Sequence, residues 1–262
     1  MLKFDVKYAY DFDLGSYSCI FKEHPDIEAI IHAATNYGRG NRESTSPFWV
    51  NEVLPIKIME LAVSHNVKLF INIDTFFNSI SNIKYDYLQS YTLSKKHFQE
   101  WGKLCYAKTN LSFINLKLFH MYGIGDTQEK FIPSIIKKCL LIEEINLTRG
   151  DQLRDFIYID DVVSAIRRVL GAELESGYHS FDLGSGQQYS IRYVVELIKE
   201  LSQSTSILNF GSIPTRDGEL VHDPADITQM QQLGWYPRTC LNEGMSRVIT
   251  NMRLQFNDLA SV

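Results

Sequence analysis

Nothing in this chain approaches the run of about 18 uncharged apolar residues that a membrane-spanning helix needs, and its start, MLKFDVKYAYDFD, lacks the apolar centre of a secretory signal. The chain therefore reads as soluble and cytoplasmic. Cysteine is sparse. Cys19, Cys105, Cys139 and Cys240 form no CxxC pair and accompany no histidine pair at ligand spacing. That excludes a zinc ribbon and a disulfide framework and leaves reduced, mostly buried thiols as the expectation. Positive charge is not in excess either: 26 Lys and Arg stand against 31 Asp and Glu, a net charge of −5. No basic field exists to hold a polynucleotide backbone. A small phosphorylated ligand, which needs only a few placed donors, is not excluded. Repeats, low-complexity tracts and obvious linkers are absent as well.

What is present is a substantial apolar fraction, 45% of 262 residues, enough for one large domain or a main domain with a smaller lobe. Short apolar runs alternate with amphipathic stretches. Residues 2–10 (LKFDVKYAY) alternate strictly, which predicts a strand with one wet face. Residues 27–34 (IEAIIHAA), 67–73 (VKLFINI) and 111–118 (LSFINLKL) are continuous apolar runs, the mark of strands buried on both faces. Between them, 49–65 and 88–108 carry helical periodicity, with Pro55 predicted to kink the first. This order predicts an α/β fold with a doubly wound parallel sheet. Beyond residue 125, helices near 130–142, 160–170 and 190–203 alternate with short strands near 145–148, 155–158, 179–183 and 207–210. The domain expectation is 1–125 for the sheet domain and 126–262 mainly for a small α/β lobe, with segments returning to the sheet.

The strongest local chemical signal is Tyr91-Thr-Leu-Ser-Lys95. Four residues apart on a helix, both side chains share one face. An ammonium beside a phenol favours phenolate, so the pair is expected to lower the tyrosine pKa and suit it to proton transfer. By itself the pattern also reads as a half-buried Tyr beside a snorkelling Lys. Position raises its weight: the 67–73 run ends in Asp74-Thr75, and ligands of open α/β sheets gather at the carboxyl ends of strands. Asp160-Asp161 is read as a helix start carrying first-turn charge rather than a metal site, and no metal is expected.

Together, Thr75, Tyr91 and Lys95 resemble the Ser/Thr–Tyr–Lys triad of the extended short-chain dehydrogenases, the NAD-dependent epimerase/dehydratase family. Further signposts occur in order: Asp13-Leu14, Ile30-Ile31-His32-Ala33-Ala34, Asn51, Leu116-Lys-Leu-Phe119-His120-Met-Tyr122-Gly123, Arg154-Asp155-Phe156-Ile-Tyr-Ile-Asp160-Asp161, Arg216-Asp-Gly-Glu219 and Leu233-Gly-Trp235-Tyr-Pro237. The fragments ATNYG, FINIDTFF, YTLSKKHF and RDFIYIDDVV resemble the members that reduce the C4 ketone of CDP-4-keto-dideoxyhexoses for O-antigen sugars. The resemblance implies NADP or NAD as cofactor and a nucleotide sugar, a CDP-hexose above others, as substrate. It assigns catalysis to Thr75, Tyr91 and Lys95. Cofactor contacts would fall to Asp13, Leu14, Ala33, Ala34, Asn51, Tyr91, Lys95 and Phe119, and substrate contacts to His120, Arg154 and Arg216. A homodimer through helices 49–65 and 88–108 is implied in the same way.

The glycine-rich phosphate turn of that family is not found; Gly15, Gly38 and Gly40 have the wrong spacing. By the resemblance, Met1 falls just before the third sheet strand, and a strand–turn–helix of about 30 residues is expected to be missing. Two readings stay open: a reductase, or an epimerase or dehydratase, whose start lies upstream, and a nucleotide-sugar-binding pseudoenzyme or partner subunit that has lost NAD(P). The triad serves reduction and epimerisation alike.

Overall fold

The computed structural model describes residues 17–38, 45–79, 86–215 and 223–260. The strand expected over 2–10 lies outside them. In chain order the elements are α1 (Tyr17–Glu23), β1 (Ala29–His32), α2 (Ser46–Phe48), α3 (Leu54–Ser64), β2 (Leu69–Thr75), α4 (Asp86–Lys108), β3 (Ser112–Leu118) and β4 (His120–Tyr122). There follow α5 (Phe131–Leu140), β5 (Ile145–Leu147), β6 (Leu153–Tyr158), α6 (Ile159–Leu170), β7 (Tyr178–Leu183), β8 (Gln188–Ser190), α7 (Ile191–Leu201), β9 (Leu208–Phe210), α8 (Thr228–Gln232) and α9 (Leu241–Ala260). No helix among the described residues is long and apolar enough to cross a membrane.

The chain divides into two compact units, one running through Leu118 and taking in Val169–Asp182, the other made of Phe119–Arg168 and Leu183 onward. The first holds a sheet in the order β1-β2-β3-β7, with β1, β2 and β3 mutually parallel. β2 and β3 are buried as their unbroken apolar runs predict. β1 departs from the expected double burial: Ile31, on the face opposite His32, is 40% exposed. Among the described residues it is the end strand of that order, with β2 as its strand neighbour.

Helix α4 lies on the sheet through one stripe, Leu88, Tyr91, Lys95, Phe98 and Gly102, at the i, i+3, i+4, i+7 spacing of a core-facing helix. Phe98 meets Phe70 and Phe113 edge-on at 5.8 and 5.7 Å, while those two rings stack at 5.7 Å across neighbouring strands. Such aromatic packing adds about 0.5–1.5 kcal/mol per pair beyond area burial. The segment preceding α3 also differs from expectation. Helical backbone begins at Ser46, and Trp49–Val53 forms a π-turn before α3. Pro55 then sits in the first turn of α3, where its missing N–H costs nothing. The irregularity expected at Pro55 is taken up one turn earlier.

The second unit packs α5, α7 and α9 around a core that includes Ile136, Ile145, Phe156, Val194 and Ile198. β4 runs parallel to β6, and β6 antiparallel to β8. Asp155, buried on β6, accepts from the backbone N–H groups of Ser185, Gly186 and Ala225 and from the Ser185 hydroxyl, at 2.6–3.0 Å. Asp161 likewise accepts from the N–H groups of Arg238 and Thr239 at 3.0 Å. These carboxylates tie loops together, and no metal-ligating cluster occurs among the described residues. All four cysteines are free, but only Cys139 is buried. Cys240, expected inside, is exposed because it lies in the turn that leads into α9.

The tightest fit in the first unit is at Gly102, where an added Cβ would stand 2.5 Å from the Phe113 ring. Gly102→Val is therefore expected to destabilise the protein by about 1–3 kcal/mol, read as a lower urea midpoint with an unchanged slope.

Candidate functional site

The packing that holds Phe98 against the sheet also fixes the residues one and two turns before it. Tyr91 is 4% and Lys95 1% exposed, on the same stripe of α4. Thr75 closes β2 and is buried beside them, its hydroxyl close enough to the Tyr91 phenol to pull that group's pKa down. The Lys95 ammonium donates to Ile73 O on β2 at 2.9 Å. The three residues singled out in the sequence are thus brought together at the carboxyl end of β2.

The electrostatics correct one expectation. Tyr91 is not lowered by Lys95; burial first, then Tyr37 and Asp74, raise its pKa well above the usual tyrosine value, against the pull of the Thr75 hydroxyl. The Tyr37 ring covers the phenol, with centroids 5.1 Å apart, while the Lys95 ammonium is turned to the strand carbonyl. Burial brings Lys95 down to about 8, with Asp74 pulling in the opposite direction. Tyr91 is consequently protonated at neutral pH and Lys95 predominantly charged.

Asn51, in the π-turn, is fully buried and spends its amide on structure. It accepts from Asn36 N at 2.8 Å and donates to Asn36 O at 2.8 Å and to Ser94 Oγ at 3.1 Å. Ser94 in turn donates to Tyr91 O. Asn51 thereby clamps the segment after β1 to the helix that carries Tyr91. Ala33 and Ala34 follow β1 directly and are exposed, small side chains at a strand's carboxyl end. In the second unit, Phe119 and His120 open β4, and His120 stands opposite Phe156 on β6. Arg154, two residues earlier on β6, is 8% exposed and donates to Leu153 O at 2.7 Å. Asp13, Leu14 and Arg216 lie outside the described residues.

Sequence reasoning passed over a group of buried polar side chains: His32 on β1, Asn72 and Asp74 on β2, Asn115 on β3, with Asn78 just beyond β2. The signal was available. Asn and Asp at alternate positions of an apolar strand mark one polar face inside the sheet.

Residues 9–184 match the NAD dependent epimerase/dehydratase family. The chain belongs to that family. A curated member, CDP-abequose synthase of Salmonella muenchen, is 36% identical over 226 residues, 86% of this chain and 77% of that one. The corresponding synthase of Salmonella typhimurium (strain LT2) is 32% identical over 85% of this chain and 76% of that one. Among solved structures, the UDP-glucose 4-epimerase of Thermotoga maritima with UDP-glucose aligns at TM-score 0.80 and 21% identity, covering 91% of this chain and 81% of that one. The fold is therefore that of the epimerase/dehydratase family, whose structural neighbours include complexes with NAD and with NADPH.

Members of this family carry a nicotinamide dinucleotide. The donor set at the end of β2 fits the ribose and nicotinamide portion of such a group: one buried ammonium, two hydroxyls and the exposed alanines after β1. The buried cation also has a consequence independent of any ligand. With Lys95 lowered to about 8, the unfolded chain binds more protons than the folded one between pH 8 and the ordinary lysine range. Stability must then rise with pH there, by up to about 1.4 kcal/mol per unit. Above about pH 10 the raised Tyr91 and Tyr122 reverse the sign, because the folded state then holds the extra protons. Urea midpoints are expected to climb from pH 8 toward 10 and then fall, and Lys95→Met should abolish the climb.

Proposed function

We propose that this protein is an NAD(P)-dependent reductase acting on the C4 ketone of a CDP-4-keto-dideoxyhexose, in the cytoplasm, on a route to O-antigen sugars. The observation that carries the direction of the reaction is the protonated, buried Tyr91 with Thr75 at its phenol. A reductase needs an acid at the forming alkoxide, and a tyrosine held protonated beside a second hydroxyl is that acid. The likeness to the two CDP-abequose synthases supports the CDP-sugar.

The cofactor, when bound, supplies a hydride to the ketone carbon. Thr75 hydrogen-bonds the ketone oxygen and orients it toward Tyr91. Tyr91 gives its phenolic proton to that oxygen as negative charge builds there. Lys95 holds the nicotinamide ribose and, as a cation, lowers the cost of the phenolate left behind. The resemblance assigns the cofactor to Ala33, Ala34 and Phe119, with Asp13 and Leu14; Asn51, its amide spent on Asn36 and Ser94, would act by holding the segment after β1. The same resemblance assigns the diphosphate to Arg154 and Arg216, whose guanidinium forks suit it, and the sugar to His120. A second reading, a nucleotide-sugar epimerase, rests on the likeness to the Thermotoga enzyme's fold and to epimerases of lower sequence identity or coverage, and on a triad that serves either reaction.

Thermal unfolding in the presence of NADPH, NADH or a CDP-hexose separates the readings, since a ligand at 100 times its Kd adds about 2.7 kcal/mol. Stabilisation by a dinucleotide and by the CDP-sugar is expected, with ketone-dependent oxidation of NADPH falling a hundredfold or more, on the order expected for loss of a general acid, in Tyr91→Phe. Stabilisation by the CDP-sugar alone would make the chain a binding protein with an idle triad.

The same reading includes a homodimer. Along α3 and α4 the side chains of Trp101 and Leu104 are exposed beside an apolar cleft of about 280 Å³ lined also by Ile56, Met59 and Val63. Light scattering is expected to give twice the chain mass, and the chain mass alone for Trp101→Glu with Leu104→Glu.

A further inference from the structure

The buried polar group on the α4 face of the sheet is hydrogen-bonded in one direction. Asn72 Nδ2 donates to Asn115 Oδ1 at 2.8 Å, and Asn115 Nδ2 donates to Asp74 Oδ2 at 2.7 Å. From the other side Asn78 Nδ2 donates to both oxygens of Asp74, at 2.7 and 2.8 Å. Each amide passes a donor toward the same carboxyl. Asp74 is 3% exposed, and Asn72 and Asn115 are fully buried.

We propose that Asp74 is a positioning residue, an anion fixed inside the sheet whose task is to keep the buried Lys95 ammonium charged. Two arguments support this. The first concerns Asp74 itself. A protonated carboxyl needs an acceptor for its proton, but the side chains that reach these oxygens all present N–H groups, which only the carboxylate satisfies fully. Burial outweighs the rest and leaves its pKa raised, while Asn115, the Lys95 charge, the Thr75 amide and Asn78 oppose that rise, so the case for the carboxylate rests on the N–H groups aimed at it. The second concerns Lys95, a cation inside a core where an isolated charge is costly. The titratable groups around it are Asp74 from β2, His32 from β1, and Tyr91 on its own helix with Tyr37 beyond. Burial and then the Lys95 charge lower His32 to about 4, so it is neutral. The tyrosine is protonated. Asp74 is the one anion of the set, and it pulls the Lys95 pKa upward.

Without Asp74, Lys95 would be deprotonated at neutral pH, with no charge to offer a ribose or a phenolate. Asp74 therefore deepens the proposed reading of the triad, although the test needs neither cofactor nor substrate. Urea midpoints are measured from pH 6 to 10 in the wild-type chain, Asp74→Asn, Lys95→Met and the double variant. The alkaline rise in stability, expected near pH 8 in the wild type, should begin at least one pH unit lower in Asp74→Asn. In the Lys95→Met background the same substitution should leave the profile flat from about pH 7.5 to 10, below which the lowered His32 adds a rise of its own in every variant. An unshifted onset in Asp74→Asn overturns the proposal, because a merely structural aspartate would lower every midpoint equally. Asp74→Ser, smaller and neutral, gives the same reading should the amide variant not fold. The unmutated chain supplies an independent check: the carboxyl carbon resonance of Asp74 should sit at the carboxylate position at pH 7. A resonance at the position of the protonated acid overturns the proposal as well.

Discussion

Helix α4 can lie on the sheet in only one way, and the chemistry of the first unit follows from that. Phe98 is wedged edge-on between Phe70 and Phe113, and Gly102 lets the helix approach until it touches the Phe113 ring. A helix fixed at that point has no freedom one or two turns away. Tyr91 and Lys95 are therefore delivered to the end of β2 by the packing of an aromatic cluster, and their own polar contacts only adjust the result. The stripe that carries chemistry is a core stripe, so its polar members must be satisfied inside the protein. Thr75, Ile73 O, Asp74 and Ser94 do so.

The two units use buried carboxylates differently. Asp155 and Asp161 accept from backbone N–H groups and join segments distant in sequence, 183–186, 225 and 238–239, to β6 and the start of α6. That is a structural use, a set of charge-assisted bonds closing loops. It accounts for the density of matched residues around Arg154–Asp161 without assigning each of them to a ligand. Asp74 accepts from side-chain amides only, among the side chains that reach it, and stands within electrostatic reach of a buried cation. An aspartate that ties loops together tolerates any charge nearby. One that balances a buried ammonium does not.

The central strands were announced to within two or three residues because their apolar runs are long and uninterrupted where the sheet is buried on both sides, whereas the short elements α1, β8 and α8 were not. The run 67–73 became β2 at Leu69–Thr75, and 111–118 became β3 at Ser112–Leu118. The triad was legible because its three members follow a spacing rule on known elements. What periodicity could not reveal was burial of the phenol. The ring of Tyr37, which raises the Tyr91 pKa, comes from a segment held by the Asn51 clamp and by Asn36 on Ser46, contacts 15 and 10 residues apart in the chain. The π-turn escaped for a related reason: proline marks an irregular helix, but the geometry of the preceding turn is decided by what Asn51 must reach. α9, a long C-terminal helix, went unpredicted although its buried positions, among them Leu241, Met245, Val248 and Met252, fall at helical spacing.

The opposed shifts of Tyr91 and Lys95 bear on the direction of catalysis. An enzyme that begins by oxidising a hydroxyl must first accept a proton, and a tyrosine serves only once it has become phenolate. An enzyme that begins from a ketone must donate a proton, and needs the phenol intact. Burial under Tyr37 stabilises the intact phenol, while Lys95 remains charged with its ammonium on Ile73 O. In the proposed reduction the cation would act after proton donation, when a phenolate must be stabilised, from the same stripe of α4. A tyrosine lowered to neutrality would be a stronger acid but half ionised, so half of the molecules would have no proton to give. A raised tyrosine beside a waiting ammonium keeps the proton until negative charge appears to receive it, which is the order a ketone reduction requires.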